Sequence, residues 1–147
     1  MKKLAVLSAL PAVALAKAGT LLLFTTLIFT ACGDDKKQIE ALTQATETAH
    51  DEAMKDLADM NRIARELKET MIAGTMTPEQ SAVYNDVLTN MGKAENGMMD
   101  WMKNYTSPDA LPPAEAMKYL TEQKTLIEQN RSEIKAALEA GKKLQGK

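Results

Sequence analysis

The side chains with the most distinctive chemistry in this sequence are thioethers, one imidazole and one indole. Nine methionines occur from Cys32 onward, and three of them surround the single tryptophan in the run Met-Met-Asp-Trp-Met at 98–102. The single histidine, His50, has Met54 about one helical turn after it. Thioether sulfur and imidazole nitrogen suit Cu(I), and an indole face can cover a bound cation.

These side chains form one site only if secondary structure brings them together. From Gln38 onward the helix formers Ala, Glu, Lys, Met, Leu and Gln dominate. Thr77 and Pro78 have the residue types of a helix N-cap and first helical position, and Gln80 completes a capping box. Three prolines between 108 and 113 predict a loop. We therefore predict an all-α fold with helices at about 37–73, 78–105 and 113–143.

Two seams predict how the first two helices pair, because alternating steps of three and four keep one stripe facing a partner. The short turn makes these helices antiparallel. Pairing positions whose numbers sum to 151 sets His50 opposite Trp101 and Met60 opposite Met91. The seams consist of Thr46, His50, Ala53, Leu57, Met60, Ala64, Leu67 and Met71, and of Tyr84, Val87, Met91, Ala94, Met98, Trp101 and Tyr105.

The third helix should fold back along the second and complete an antiparallel, coiled-coil-like three-helix bundle over residues 38–147. This arrangement predicts Leu120 near Met98 and Ile127 near Met91, and it brings Met117 to the level of Trp101. Gln123 and Asn130 then become partly buried polar groups that need partners. Their seam contains Leu120, Gln123, Ile127, Asn130, Ile134 and Ala137.

Three interpretations of the resulting cluster remain open. The first is a Cu(I) or Ag(I) site, whose ligand types alone are similar to those of periplasmic copper carriers. The second is an ordinary core, with methionine as a flexible filler and His50 bonded to a carboxylate such as Asp51 or Asp100. The third is an adaptable surface for a partner protein, formed by Met76 and the outward-facing residue of Met98 and Met99. The metal site would use His50, Met54, Met98, Met102 and Met117, with Trp101 as the cation–π cover.

The N-terminus has the pattern of an export signal. Lys2 and Lys3 precede an apolar and hydroxyl run over 19–31, which is short for a membrane-spanning helix of about 20 residues. Small residues before Cys32 resemble the lipobox of bacterial lipoproteins. That resemblance implies a signal peptide over 1–31, cleavage before Cys32, and acylation of its thiol and new amino group. A plain signal peptide or a short membrane helix is the alternative.

The segment 32–37 is expected to be a polar tether that carries the acylated cysteine. It is either a solvated spacer or, because its acidic residues resemble export signals of some lipoproteins, a signal for the outer membrane. The chain from Asp34 onward has 15 basic and 20 acidic residues, which disfavours nucleic acid as a partner. Any membrane attachment must therefore come from the N-terminus, and there the several acyl chains of a lipidated cysteine would give stable anchoring.

Catalytic patterns are missing from the sequence. One cysteine cannot form an internal disulfide, and neither a Gly-rich phosphate loop nor a nucleophile elbow is present. We therefore expect a protein that is not an enzyme and has no cofactor, unless the Cu(I) interpretation holds.

The pattern as a whole resembles a group of small bacterial three-helix envelope lipoproteins often auto-labelled "viral A-type inclusion protein". The resemblance rests on the lipobox, His-Asp-Glu-Ala-Met at 50–54, Met-Met-Asp-Trp-Met at 98–102, the proline loop and Leu-Thr-Glu-Gln-Lys at 120–124. It implies a lipid-anchored protein of the bacterial cell envelope, at the outer membrane, with a non-enzymatic binding or structural role and an envelope protein as a possible partner.

Overall fold

The chain forms three long helices. The computed structural model describes residues 31–146, with only the backbone for the first two of them. Helix α1 covers Ala31–Ala73, α2 covers Pro78–Asn104 and α3 covers Pro113–Leu144, with a 3₁₀ turn at Pro108–Ala110 between α2 and α3. The predicted all-α three-helix bundle is confirmed. The predicted signal peptide and the side chain of Cys32 lie outside the described part.

The start of α2 has the predicted cap. The Thr77 hydroxyl accepts a hydrogen bond from the Gln80 backbone N–H at 3.2 Å, and the Gln80 side chain accepts one from the Thr77 N–H at 2.9 Å. Pro78 occupies the first helical position. This reciprocal pair satisfies two N–H groups that a helix terminus leaves without an intrahelical partner.

Helix α1 begins earlier than the predicted position of about 37, so that the polar segment 32–37 is helical. Local charges explain the difference. Asp34 lies in the first turn, where a negative charge is favourable near the positive end of the helix dipole. One turn later, Lys36 and Glu40 form an i,i+4 pair at 3.9 Å.

Among residues 31–146, no helix combines the length and apolar character needed to cross a membrane.

The core lies between all three helices, and methionine supplies much of its volume. Met60 and Met98 are fully buried and Met91 is 2% exposed. Helix α1 also buries Ile63, which lies outside its predicted seam. A helix that packs against two partners needs a wider apolar stripe than the narrow seam of a two-stranded coiled coil, and this is why the single seam missed Ile63.

Polar pairs fix the direction of the helices. Asn61 of α1 donates to Glu95 of α2 at 3.0 Å, in keeping with the antiparallel pair. Arg131 of α3 donates from Nε to Asp56 at 3.0 Å and from Nη1 to Glu52, both on α1. Gln145, the C-cap of α3, donates to Glu66 of α1 at 2.8 Å. Because this contact lies further toward the C-terminus on both helices, α1 and α3 run parallel.

The predicted register of α3 was wrong by about one heptad. The Thr106 N–H donates to the Tyr119 hydroxyl at 2.9 Å, and Asn130 lies beside Gly97. This register moves the level of Ile127 from Met91 to Met98. The connection between α2 and α3 explains the shift, because it forms a 3₁₀ turn that contacts α3 and buries Pro108. A slip of one heptad keeps the same apolar face inward.

Candidate functional site

Four rings form a series that joins all three helices, and we call it the ring ladder: His50, Trp101, Tyr105 and Tyr119. The centroids of His50 and Trp101 are 5.6 Å apart with planes at 25°, and those of Trp101 and Tyr105 are 4.8 Å apart at 26°. Tyr105 and Tyr119 are 6.1 Å apart and tilted. Aromatic pairs at such separations are favourable beyond the apolar area that they bury.

Each ring of the ladder is held by its helix. His50 and Trp101 meet because the two seams pair as predicted. Tyr105 follows Trp101 by one helical turn, and as the C-cap of α2 it donates its backbone N–H to the Trp101 carbonyl at 2.9 Å. Tyr119 is fixed by its hydrogen bond to Thr106. The ladder therefore lies where α2 ends and the connection to α3 begins.

A cleft of about 210 Å³ opens between α1 and α2 beside the ladder, and we call it the ladder cleft. Its polar groups are the Glu47 carboxylate, the His50 imidazole and the hydroxyls of Thr46 and Tyr105. Thr46 is fully buried and donates to the Leu42 carbonyl at 2.8 Å. The cleft is lined by Thr46, Glu47, His50, Trp101, Met102 and Tyr105.

The candidate metal ligands do not all lie at this cleft. His50 and Met102 line it together. Met98 is fully buried in the core, and Met54 packs against that core. The prediction that Met117 lies level with Trp101 was wrong, since Tyr119 already lies level with Thr106, beyond the end of α2. The register slip of α3 separates Met117 from the other four candidates.

Carboxylates lie near two rings of the ladder, His50 and Tyr105. His50 Nδ1 lies 3.3 Å from the Asp51 carboxylate, one of the partners that the sequence suggested. Burial raises the pKa of the Tyr105 phenol, and the nearby Tyr119, Glu47 and Asp109 add to the shift. Across residues 31–146, no cluster of three or more His, Cys, Asp or Glu could hold a metal ion.

A second concave surface lies between α2 and α3, and we call it the amide groove. Its volume is about 280 Å³. Trp101 contributes to both concave surfaces. The groove is lined by Gly97, Asp100, Trp101, Asn104, Gln123, Leu126, Gln129, Asn130 and Glu133.

Sequence reasoning missed this groove for an identifiable reason. It identified Gln123 and Asn130 as partly buried polar positions that need partners, and both are half-buried. The register error, however, placed them away from Trp101. The role of Tyr119 was missed because of the same register error. Tyr105 could have been identified, because it follows Trp101 by one helical turn on the predicted seam.

No protein-family model, curated protein or solved structure matches this chain.

Proposed function

We propose that this protein is a lipid-anchored lipoprotein of the bacterial cell envelope, at the outer membrane, whose helical bundle has a non-enzymatic binding or structural role. One observation carries the proposal: a basic start and an apolar run end in small residues directly before the only cysteine. Helix α1 begins at Ala31, so the acylated Cys32 would lie in the first turn of the bundle's own helix. The anchor and the folded body would then be continuous.

The shape of the site supports a binding role. Two concave surfaces share Trp101, and one of them is lined by rings from two helices. Met99, which is 42% exposed on α2, adds an apolar contact point for an envelope protein partner. A bundle held at the membrane would present both surfaces to a partner, and binding there requires no catalytic residue.

Labelling with radioactive palmitate in a bacterial host tests the anchor. The wild-type chain should incorporate label, and Cys32→Ala should incorporate none and accumulate as a longer, uncleaved form. Thr48→Ala, an exposed change on α1, should be labelled like the wild type. Label in Cys32→Ala, or none in the wild type, would refute the anchor.

A second candidate function is Cu(I) or Ag(I) binding. It is favoured by the presence of His50 and Met102 on one cleft beside the Trp101 ring, because imidazole and thioether suit these ions. Met54 and Met98 are further candidates on the same two helices. Cu(I) titration of the full chain in detergent, followed by Trp101 fluorescence, should show saturable quenching.

Matched variants make this titration specific. His50→Ala and Met102→Ala should abolish quenching, whereas Met99→Ala should retain it, because Met99 is on α2 but does not line the ladder cleft. Quenching that survives in both cleft variants would eliminate the metal function.

A further inference from the structure

The ladder cleft is open to solvent through most of its lining. Thr46 is fully buried, but Glu47 is exposed. The other lining residues are half-buried and keep part of their surface accessible: His50, Trp101, Met102 and Tyr105. A small molecule can therefore reach one carboxylate, three rings and one thioether at the same place.

The fixed charge of the cleft is negative. Glu47 supplies the only carboxylate of the lining, and no Lys or Arg is among the lining residues. Within residues 31–146, the Glu47 carboxylate forms no ion pair and accepts no hydrogen bond. Burial is the main cause of the raised pKa of the Tyr105 phenol, and the charge of Glu47 adds to it. An unpaired carboxylate beside an apolar cleft favours a cation and disfavours an anion.

The rest of the lining favours an aromatic body on that cation. Trp101 and Tyr105 stack with their centroids 4.8 Å apart, and ring pairs at such distances are favourable beyond the area that they bury. Met102 adds a thioether, whose sulfur makes favourable contacts with aromatic rings. The volume of about 210 Å³ is smaller than that of sites for drug-sized ligands. The cleft is therefore suited to a ligand with a single ring.

We infer that the ladder cleft binds a small arylalkylammonium ion, with one aromatic ring and one protonated amine on a short alkyl chain. The ring packs beside Trp101, Met102 and Tyr105, and the ammonium group donates to the Glu47 carboxylate at the exposed side of the cleft. An ammonium group has three donors and no acceptor, and water can take the donors that Glu47 does not. The assignment names the ligand class of the binding role proposed above and rests on that role.

Titration of the full chain in neutral detergent with phenethylamine at pH 7 tests the inference. Trp101 is the only tryptophan, so its fluorescence and its single indole NMR resonance report on the cleft. Phenethylamine should give a saturable change in both. Phenethyl alcohol has a similar shape without the charge and should bind about two- to fivefold more weakly, because a solvent-exposed ion pair contributes about that much. The anion phenylacetate should bind more weakly still.

One pair of variants isolates the charge of Glu47. Glu47→Gln keeps the shape and removes the carboxylate, so phenethylamine should bind about two- to fivefold more weakly. Its affinity for phenethyl alcohol should be unchanged, which a merely structural effect of the substitution would not produce. Glu69→Gln makes the same charge change on α1 at an exposed residue outside the cleft, and it should bind both compounds like the wild type.

A second variant separates this ligand from Cu(I), which would use other side chains of the same cleft. Met102→Leu keeps an apolar side chain and removes the thioether, so phenethylamine binding should stay within about twofold of the wild type, because such swaps cost little. Quenching by Cu(I) should be lost in Met102→Leu and retained in Glu47→Gln. Circular dichroism checks that each variant is folded.

Three results would overturn the inference: no saturable change with phenethylamine, equal wild-type affinities for phenethylamine and phenethyl alcohol, or equal phenethylamine affinities in Glu47→Gln and Glu69→Gln. Tighter binding of phenylacetate than of phenethylamine would overturn it as well. Failure here is distinguishable from failure of the anchor, because amine binding is measured without reference to the acylation of Cys32.

Discussion

Gly141 of α3 lies at a point where the packing leaves no room for a side chain. A Cβ at this position would come within 2.7 Å of Ile63 Cγ2 and still closer to Met91 Cε. The methionine end can rotate away, but the β-branched Ile63 has one strongly preferred rotamer in a helix. The three helices therefore approach closely here because the residue is glycine.

Gly141→Ala should lower the free energy of unfolding by about 1–2 kcal/mol, since overpacking outweighs the gain in helix propensity. Gly92→Ala is the matched control. It is also within a helix but has nothing within 4 Å of the added Cβ, so it should stabilise the protein by about 0.5–1 kcal/mol. Urea unfolding followed by circular dichroism measures both. A stabilising Gly141→Ala would contradict the packing described here.

The raised pKa of Tyr105 makes the stability of the protein depend on pH. Burial disfavours the phenolate, so the stability that Tyr105 contributes is complete below the pKa of the unfolded chain, about 10. That contribution is lost as the pH rises through the higher pKa of the folded chain. The near-ultraviolet titration difference between wild type and Tyr105→Phe should therefore have its midpoint above the ordinary value.

The same difference in the urea-unfolded chain is the control, and it should return to the ordinary tyrosine value. A midpoint that is equal in folded and unfolded chains would show that Tyr105 is not buried in the ladder.

At the scale of the elements, the sequence predicted most of the fold. The helix ends at Ala73, Pro78 and Pro113 follow from one capping box and from prolines, which act locally. The pairing of His50 with Trp101 follows from a seven-residue repeat that aligns residues 46–71 with residues 84–105. These signals could be read from the chain because each is local or repeats many times.

The register of α3 could not be predicted in the same way. A heptad pattern specifies which face packs inward but is nearly unchanged by a slip of seven residues. The register depends on how residues 106–112 pack, and in particular on the 3₁₀ turn that contacts α3 and buries Pro108. The position of Met117 and the existence of the amide groove both depended on that choice.

Cysteine crosslinking can distinguish the two registers. In a Cys32→Ala background, which has no other thiol, Gly97→Cys with Asn130→Cys should form a disulfide under mild oxidation. The added Cβ at Gly97 lies 3.5 Å from Asn130 Cγ, which is about where the sulfur of a cysteine at 130 would lie, so the two cysteines are close enough to bridge. The reduced and oxidised forms are separated by gel mobility.

The control pair is Leu88→Cys with Asn130→Cys, which matches the register predicted from the sequence. It should remain reduced under the same conditions. A disulfide in this pair, with none between 97 and 130, would show that α3 has the register predicted from the sequence and that the amide groove does not form.

At the scale of the whole molecule, two features are joined at one residue. The bundle supplies the ring ladder and the two concave surfaces, and the lipoprotein signal that we propose would supply the membrane attachment. The proposed attachment point, Cys32, lies in the first turn of α1, directly after the apolar run.

Mass spectrometry of the chain extracted from bacterial membranes tests the anchor most directly. Trypsin should release the peptide Cys32–Lys36 with its N-terminus at Cys32, carrying a diacylglycerol on sulfur and a third acyl chain on nitrogen. The account is contradicted if the peptide that contains Cys32 instead extends upstream of it and has an unmodified thiol.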